Sequence, residues 1–236
     1  MIDYRSMERR FEKTVGAGRR PVAIAFLAAP PATVQKFEGV MPSGCSFWRL
    51  AAAGRTFYTV PGDHYNCPIG SYTHNIALPA DRASELEQTL SLMGTLGYVK
   101  MEEVPNIPRL PESPGVVVYA PLEDSPVEPD VVIFSGKPAQ MMLISEAALR
   151  AGVSGNAPLL PRPTCMALPA ALAQGMVTSS GCIGNRIYTD LAEDELYAMV
   201  RGRDLTRVAD ELETIASANA QLAEYHRGKR AALATA

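Results

Sequence analysis

Apolar and polar positions alternate along this chain with two periods. Tyr4, Met7, Phe11 and Val15 recur at helical spacing, so residues 3–15 are expected to form an amphipathic helix. The run Val22 to Ala29 (VAIAFLAA) lies between Pro21 and Pro30 and reads as a buried strand. A short helix is expected from Ala32 to Phe37, and a second in CSFWRLAAAG, stopping at Gly54. Thr56 to Val60 (TFYTV) has strand composition, and Gly62 to Gly70 (GDHYNCPIG) reads as loop. Ala80 to Met93 is helical, with Leu86, Leu90 and Met93 on one face. Pro105, Pro108, Pro111 and Pro114 make residues 102–115 an extended connector. Val116 to Ala120 and Val131 to Phe134 are strand candidates. Helices are expected over Ala139 to Gly152, Ala192 to Arg201 and Asp204 to Arg227, the last with Val208, Leu212, Ile215 and Leu222 on its apolar stripe.

The pattern contains an echo. Pro21-Val-Ala-Ile-Ala-Phe26 is answered by Pro129-Asp-Val-Val-Ile-Phe134, and Pro30 and Pro138 follow each Phe by four residues. A cysteine and an alanine-rich helical turn ending in glycine come next: Cys45 with Gly54, and Cys165 with Gly175. Each half then gives a cysteine beside glycine, Cys67-Pro-Ile-Gly70 and Cys182-Ile-Gly184, and an acidic helix. The expected fold class is therefore α/β or α+β, a mixed sheet flanked by helices, built from two similar halves in pseudo-twofold relation. It would be a single domain over 1–236, with the repeat at about 20–100 and 115–202 and a C-terminal helix at 204–227. Equivalent loops would face each other at the centre and bring the four cysteines together.

Composition narrows the function classes. The chain has 236 residues, 47% hydrophobic and 20% charged, an ordinary globular balance that can bury a real core. A formal net charge of −3 argues against a nucleic-acid partner, because phosphate binding needs a positive excess. The N-terminus lacks the apolar stretch of a signal peptide, and eight apolar residues cannot span a bilayer as a helix. A cytoplasmic protein without membrane partner is expected, with reduced thiols and the option of homo-oligomers.

Candidate chemistry rests on the cysteines. They are separated by 22, 98 and 17 residues (45 to 67, 67 to 165, 165 to 182), so the CxxC knuckle, the thioredoxin motif and the compact ferredoxin run are all absent. Each lies close to Gly or Pro, in loops where backbone N–H groups can approach a thiolate or a cluster sulfur. Cys45, Cys67, Cys165 and Cys182 are a full ligand set for an iron–sulfur cluster, [4Fe–4S] first; zinc, reactive thiols without metal and buried structural cysteines are the alternatives. Fe–S leads zinc because the ligands come from distant loops. His64 and His74 flank Cys67 as H-x-x-C-x6-H; each is a ligand or acid–base candidate, against a hydrogen-bonded loop role, and His64 is the first candidate for proton transfer. Arg186, in SSGCIGNR, is the candidate for holding a substrate anion, or else a structural ion-pair partner. Walker A, GxGxxG, GxSxG and HExxH are absent.

The segments GCSFW…AAAG, NCPIG, PDVVIF…PAQMM and SSGCIGNR resemble domain-of-unknown-function family 169 of bacteria and archaea, over about residues 4 to 225. The resemblance implies cysteines at the positions of Cys45, Cys67, Cys165 and Cys182, and carries no settled activity. Three functions follow as expectations. The first is an iron–sulfur redox protein or enzyme, an oxidoreductase or lyase, acting on a small molecule or with a redox partner protein. The second is a metal-free cysteine enzyme using Cys67 or Cys182. The third is a non-catalytic metal- or ligand-binding accessory protein.

Overall fold

A computed structural model describes residues 2–16, 18–153 and 159–234. Its elements in chain order are α1 (Tyr4–Val15), β1 (Val22–Leu27), α2 (Ser46–Ala52), β2 (Phe57–Thr59), α3 (Pro68–Thr73), α4 (Glu85–Thr95), β3 (Val116–Pro121), β4 (Val131–Gly136), α5 (Pro138–Arg150), β5 (Leu159–Leu160), α6 (Ala167–Gln174), β6 (Met176–Ser179), α7 (Ile183–Thr189), β7 (Leu196–Arg201) and α8 (Leu205–Ala234), with short 3-10 turns between. The strands form one mixed sheet in the order β2-β3-β1-β4-β7-β6-β5. Every neighbouring pair is antiparallel except β5 and β6. The fold is of the α/β class.

Two apolar layers cover the sheet. Under one face Ala23, Val132, Phe134 and Ala198 pack against α1, α5 and α8. Helix α1 begins where the Asp3 carboxylate accepts the Ser6 N–H at 3.1 Å, and it buries Met7 and Phe11 as its spacing requires. Over the other face Val22, Ile24, Tyr119, Ile133 and Met199 pack against Phe47, Trp48 and Ala51 of α2 and Ala167, Leu168 and Ala171 of α6. Cys45 packs against this second layer.

Apart from β5, the strand order is the same read from either edge. Each half lays its first strand innermost (β1, β4), its next outermost (β2, β6) and its last between them (β3, β7). In each half a cysteine and a short helix join inner strand to outer, and a second cysteine and helix join outer to middle. After the middle strands, the Leu122 N–H donates to Pro21 O at 2.9 Å and the Gly202 N–H donates to Asp130 O at 2.8 Å. This correspondence pairs Val22 with Val131, one residue away from an alignment of Phe26 with Phe134. A one-residue slip reverses every side chain across a sheet, and Phe26 and Phe134 do pack in opposite layers.

Three sequence expectations are corrected. Ala192 to Arg201 is not a helix: Leu196–Arg201 is strand β7, inside the sheet, with residues 197–200 buried on both faces. Strands covered on both sides lose the alternation that marks them. Ala32 to Phe37 is not a helix: residues 32 and 33 form a turn in which the Val34 N–H donates to Pro31 O at 3.1 Å, and the chain then runs extended, with the Phe37 N–H donating to Tyr58 O and the Tyr58 N–H to Gln35 O at 2.7 and 3.0 Å. The 62–70 loop contains a 3-10 turn (Pro61–His64) and the start of α3, with Pro68 as its first residue, where a missing N–H costs nothing. The C-terminal helix reaches Ala234, buries Val208 and Leu212, and leaves Leu222 exposed. None of the described helices is long and apolar enough to cross a membrane.

Candidate functional site

Four short helices place the four cysteines. Cys45 precedes α2, Cys67 precedes α3, Cys182 precedes α7, and Cys165 sits in the 3-10 turn Thr164–Met166 that runs into α6. All four are partly buried and unpaired as disulfides. A circuit of contacts links their surroundings. The Cys182 N–H donates to Thr164 Oγ1 at 2.5 Å, beside Cys165. The Cys165 thiol points at Ile69 O of α3, 4.0 Å away. The Cys67 thiol faces the Gly44 and Gly70 backbone, and Gly44 adjoins Cys45. The Cys45 thiol lies 3.2 Å from Ser43 Oγ and faces the Asn185 amide of α7.

The thiols also feel one another's charge. Cys45 senses Cys67 and Cys182, Cys67 senses Cys182, and Cys165 senses all three, so every pair is within electrostatic reach. Burial is the main influence: it pushes the Cys45 thiol up to about 11, raises Cys67 and raises Cys165 further. Among the described residues, however, no three His, Cys, Asp or Glu side chains are gathered tightly enough to hold a metal ion. The four thiols nonetheless share one neighbourhood, the thiol region. Gly70 keeps this region open, since a Cβ there would lie 2.9 Å from Cys67 Sγ.

His64 and His74, which flank Cys67 in the chain, are each 2% exposed, with ring centroids 5.8 Å apart. Their tautomers follow from their partners. Thr59 Oγ1 lies 3.3 Å from Val117 O and 2.8 Å from His64 Nε2; with its one proton on the carbonyl, it accepts from Nε2–H. Gly70 O can only accept, so Nδ1 of His74 carries a proton at 2.8 Å from it. Burial, with His74 adding to it, lowers His64 to about 3, and burial likewise lowers His74. Both rings are therefore neutral near pH 7. Each keeps one bare nitrogen, His64 Nδ1 and His74 Nε2, buried and without a hydrogen-bond partner. Asn185, 1% exposed, is the third such group: its amide faces Cys45 and the Tyr197 hydroxyl, but neither Nδ2 nor Oδ1 reaches hydrogen-bond geometry. His64 is thus a buried neutral imidazole rather than a protonated acid.

Arg186 is committed elsewhere. Its guanidinium donates to Ser180 O at 2.5 Å, Ala192 O at 2.6 Å and Glu195 O at 2.9 Å. It braces the loops around α7, the structural role, and three carbonyls occupy the fork an anion would need. The Ser179 hydroxyl is likewise used within the loop, donating to Leu160 O and accepting from the Gly181 N–H. Trp48 is core, edge-on to Tyr197.

The sequence pattern of the uncharacterised ArCR family, domain of unknown function 169, matches residues 10–211. The chain belongs to this family. The match spans both halves of the sheet and all four cysteines, so the site lies inside the unit that defines the family. Neither a curated protein nor a solved structure matches the chain. Sequence reading missed Asn185 and Thr164 as neighbours of the thiols. Their positions, three residues after Cys182 and one before Cys165, were the only signal available.

Proposed function

We propose that Cys45, Cys67, Cys165 and Cys182 hold an iron–sulfur cluster, and that the protein is a redox protein or enzyme acting on a small molecule there. The observation that carries this reading is the mutual reach of four thiols delivered by four separate loops. The donor set fits: four thiolates are the full complement for a [4Fe–4S] or [2Fe–2S] group. Delivery of the four thiols by four separate loops, rather than by two compact knuckles, favours a cluster over zinc. Two buried polar groups without partners lie close by, as expected where a bound group completes the site: His64 Nδ1 faces Gly44, beside Cys45, and the Asn185 amide faces Cys45.

When bound, such a cluster supplies one-electron transfer or an iron Lewis acid. The chain's residues have simpler tasks. The Gly44 and Gly70 backbone bonds to the Cys67 thiol, which favours its charged form. The Thr164 hydroxyl fixes the Cys182 amide. His64 and His74 offer unprotonated nitrogens and no positive charge. The raised thiols of Cys45, Cys67 and Cys165 argue against the metal-free enzyme with Cys67 as nucleophile, because a thiol pushed up by burial is protonated at neutral pH. The repeated inner-outer-middle strand order supports a duplicated chain, with Cys45 equivalent to Cys165 and Cys67 to Cys182 across a pseudo-twofold. A cytoplasmic location would keep all four thiols reduced.

The test is anaerobic purification and reconstitution, with iron and acid-labile sulfide analysis. Iron and sulfide in near-equal amounts, with brown absorbance, are expected. A protein that stays colourless and iron-free after reconstitution overturns the reading, and bound zinc alone would replace it.

A further inference from the structure

We infer that Arg162 and Tyr98 form a carboxylate-binding subsite at the rim of the thiol region, beside Cys182, that seats the acidic end of a small substrate. This rests on the thiol region being the reactive centre and deepens that reading by naming a substrate class.

Arg162 stands two residues before Thr164, the residue whose hydroxyl holds the Cys182 N–H. Its guanidinium lies over the Tyr98 ring, 5.0 Å from the centroid. The Tyr98 hydroxyl faces the backbone N–H of Ile183 and feels the charges of both Cys182 and Arg162. Arginine and phenol are therefore stacked within electrostatic reach of the Cys182 thiol, at one edge of the region. That edge reaches solvent, since Ile183 is 64% exposed.

Arg162 is also underused. Arg186 spends its fork on three carbonyls, Arg19 bonds to Thr189 O and Asp190 O, and Arg201 bonds to Asp204 and Leu172 O. Arg162 instead has a buried Nε with no hydrogen-bond partner and an ion pair to Glu103 at a loose 3.5 Å. Both side chains of that pair are open, 35% and 48% exposed, so it is screened and weak. Glu103 comes from the 3-10 turn Met101–Asn106 in the connector. It places a carboxylate of the chain's own near the guanidinium, as a displaceable stand-in. A free carboxylate displacing Glu103 can pair with the two terminal nitrogens, the bidentate geometry that arginine supplies and lysine does not.

The experiment uses the metal-free, reduced full-length protein and compares alkylation of Cys182 by iodoacetate and iodoacetamide, mapped by peptide mass analysis. In both reactions the thiolate sulfur bonds to the CH2 carbon and iodide leaves. Dividing the rates cancels the thiolate fraction and reports only the attraction of the carboxylate. Arg162→Gln should lower the iodoacetate-to-iodoacetamide ratio at Cys182 by about three- to tenfold. Glu103→Gln should raise it by about two- to threefold, and Arg5→Gln, on the opposite side of the fold, should leave it unchanged. In the wild-type protein, acetate should protect Cys182 from iodoacetate while chloride at equal ionic strength does not, an arm that stands even if the Arg162 variant fails to fold. The subsite is overturned if Arg162→Gln leaves the ratio unchanged, if Arg5→Gln lowers it equally, or if acetate and chloride protect alike. None of these readouts depends on iron, so an Arg162-dependent ratio in a protein that never takes up a cluster would retain the subsite and remove only the cluster.

Discussion

The connections that deliver Cys67 and Cys182 leave corresponding outer strands and end on corresponding helices, yet they are built differently. From Thr59 at the end of β2 to Cys67 is eight residues; from Ser179 at the end of β6 to Cys182 is three. The short connection turns at Gly181, at φ +73°, with Ser179 Oγ accepting the Gly181 N–H. The long one has room for a 3-10 turn, and with it for a buried imidazole on the Thr59 hydroxyl. Both outer strands thus end on a buried hydroxyl that organises the following loop. What differs is whether that hydroxyl serves a backbone amide or a histidine. Similar scaffolding thus carries a buried imidazole in the connection before one thiol and a bare backbone turn in the connection before the other.

The largest expected effect tests whether both connections serve one site. Cys67→Ser and Cys182→Ser should each remove most of the iron and sulfide taken up on anaerobic reconstitution, and Cys45→Ser and Cys165→Ser should do likewise. Four variants with wild-type metal content would show that the thiols do not share a bound group. The next effect separates the tight turn from the loose one. A Cβ on Gly181 would sit 3.0 Å from both Asn185 Oδ1 and Leu191 Cδ2, at a φ that side chains resist, so Gly181→Ala should lose about 2 kcal/mol in urea denaturation. Gly62→Ala in the long connection meets nothing closer than 3.8 Å and should stay within about 0.5 kcal/mol. Equal losses would erase the contrast.

The histidine gives the long connection a pH signature. Folded His64 titrates at about 3, against an ordinary value of 6.5. Between these values the unfolded chain binds a proton that the folded chain refuses. Stability is therefore complete above pH 6.5 and is lost as pH falls toward 3, with a slope of up to about 1.4 kcal/mol per pH unit for this group. Urea midpoints of wild type and His64→Gln across pH 4–7.5 should diverge accordingly, the variant falling less steeply; parallel curves would place the imidazole in solvent. The smallest effect is on the other side. Ser179→Ala removes a bond to Leu160 O and one from the Gly181 N–H, and should cost about 1 kcal/mol with no change in that pH slope.

Much of this was legible in the sequence. Strands β1, β3 and β4 are apolar runs between prolines or glycines, and α1 and α8 carry helical spacing. Strand β7 was not legible, because Tyr197 to Val200 is buried on both faces and shows no period-2 signal. The same doubly buried texture hid the register of the echo: without alternation, Phe26 and Phe134 looked equivalent while facing opposite layers. The four cysteines stood out by residue type. Residue type could not reveal which arginine would be spent on carbonyls and which left with a bare donor, so Arg186 drew attention ahead of Arg162. That distinction depends on where loops close in space, and so does the loss of partners at His64, His74 and Asn185.

The middle of the sheet carries a mechanical consequence. β1 meets β3 in six residue pairs, from Val22↔Pro121 to Leu27↔Val116, and β4 meets β7 in six, from Val131↔Arg201 to Gly136↔Leu196. β1 meets β4 only through Val22↔Ile133, Ala23↔Val132 and Ile24↔Val131. The molecule therefore has a seam down its centre, stitched by half as many rungs as the sheet on either side. Two of the thiols lie in the first half of the chain and two in the second, so a group held by all four would rivet the two sides of this seam together.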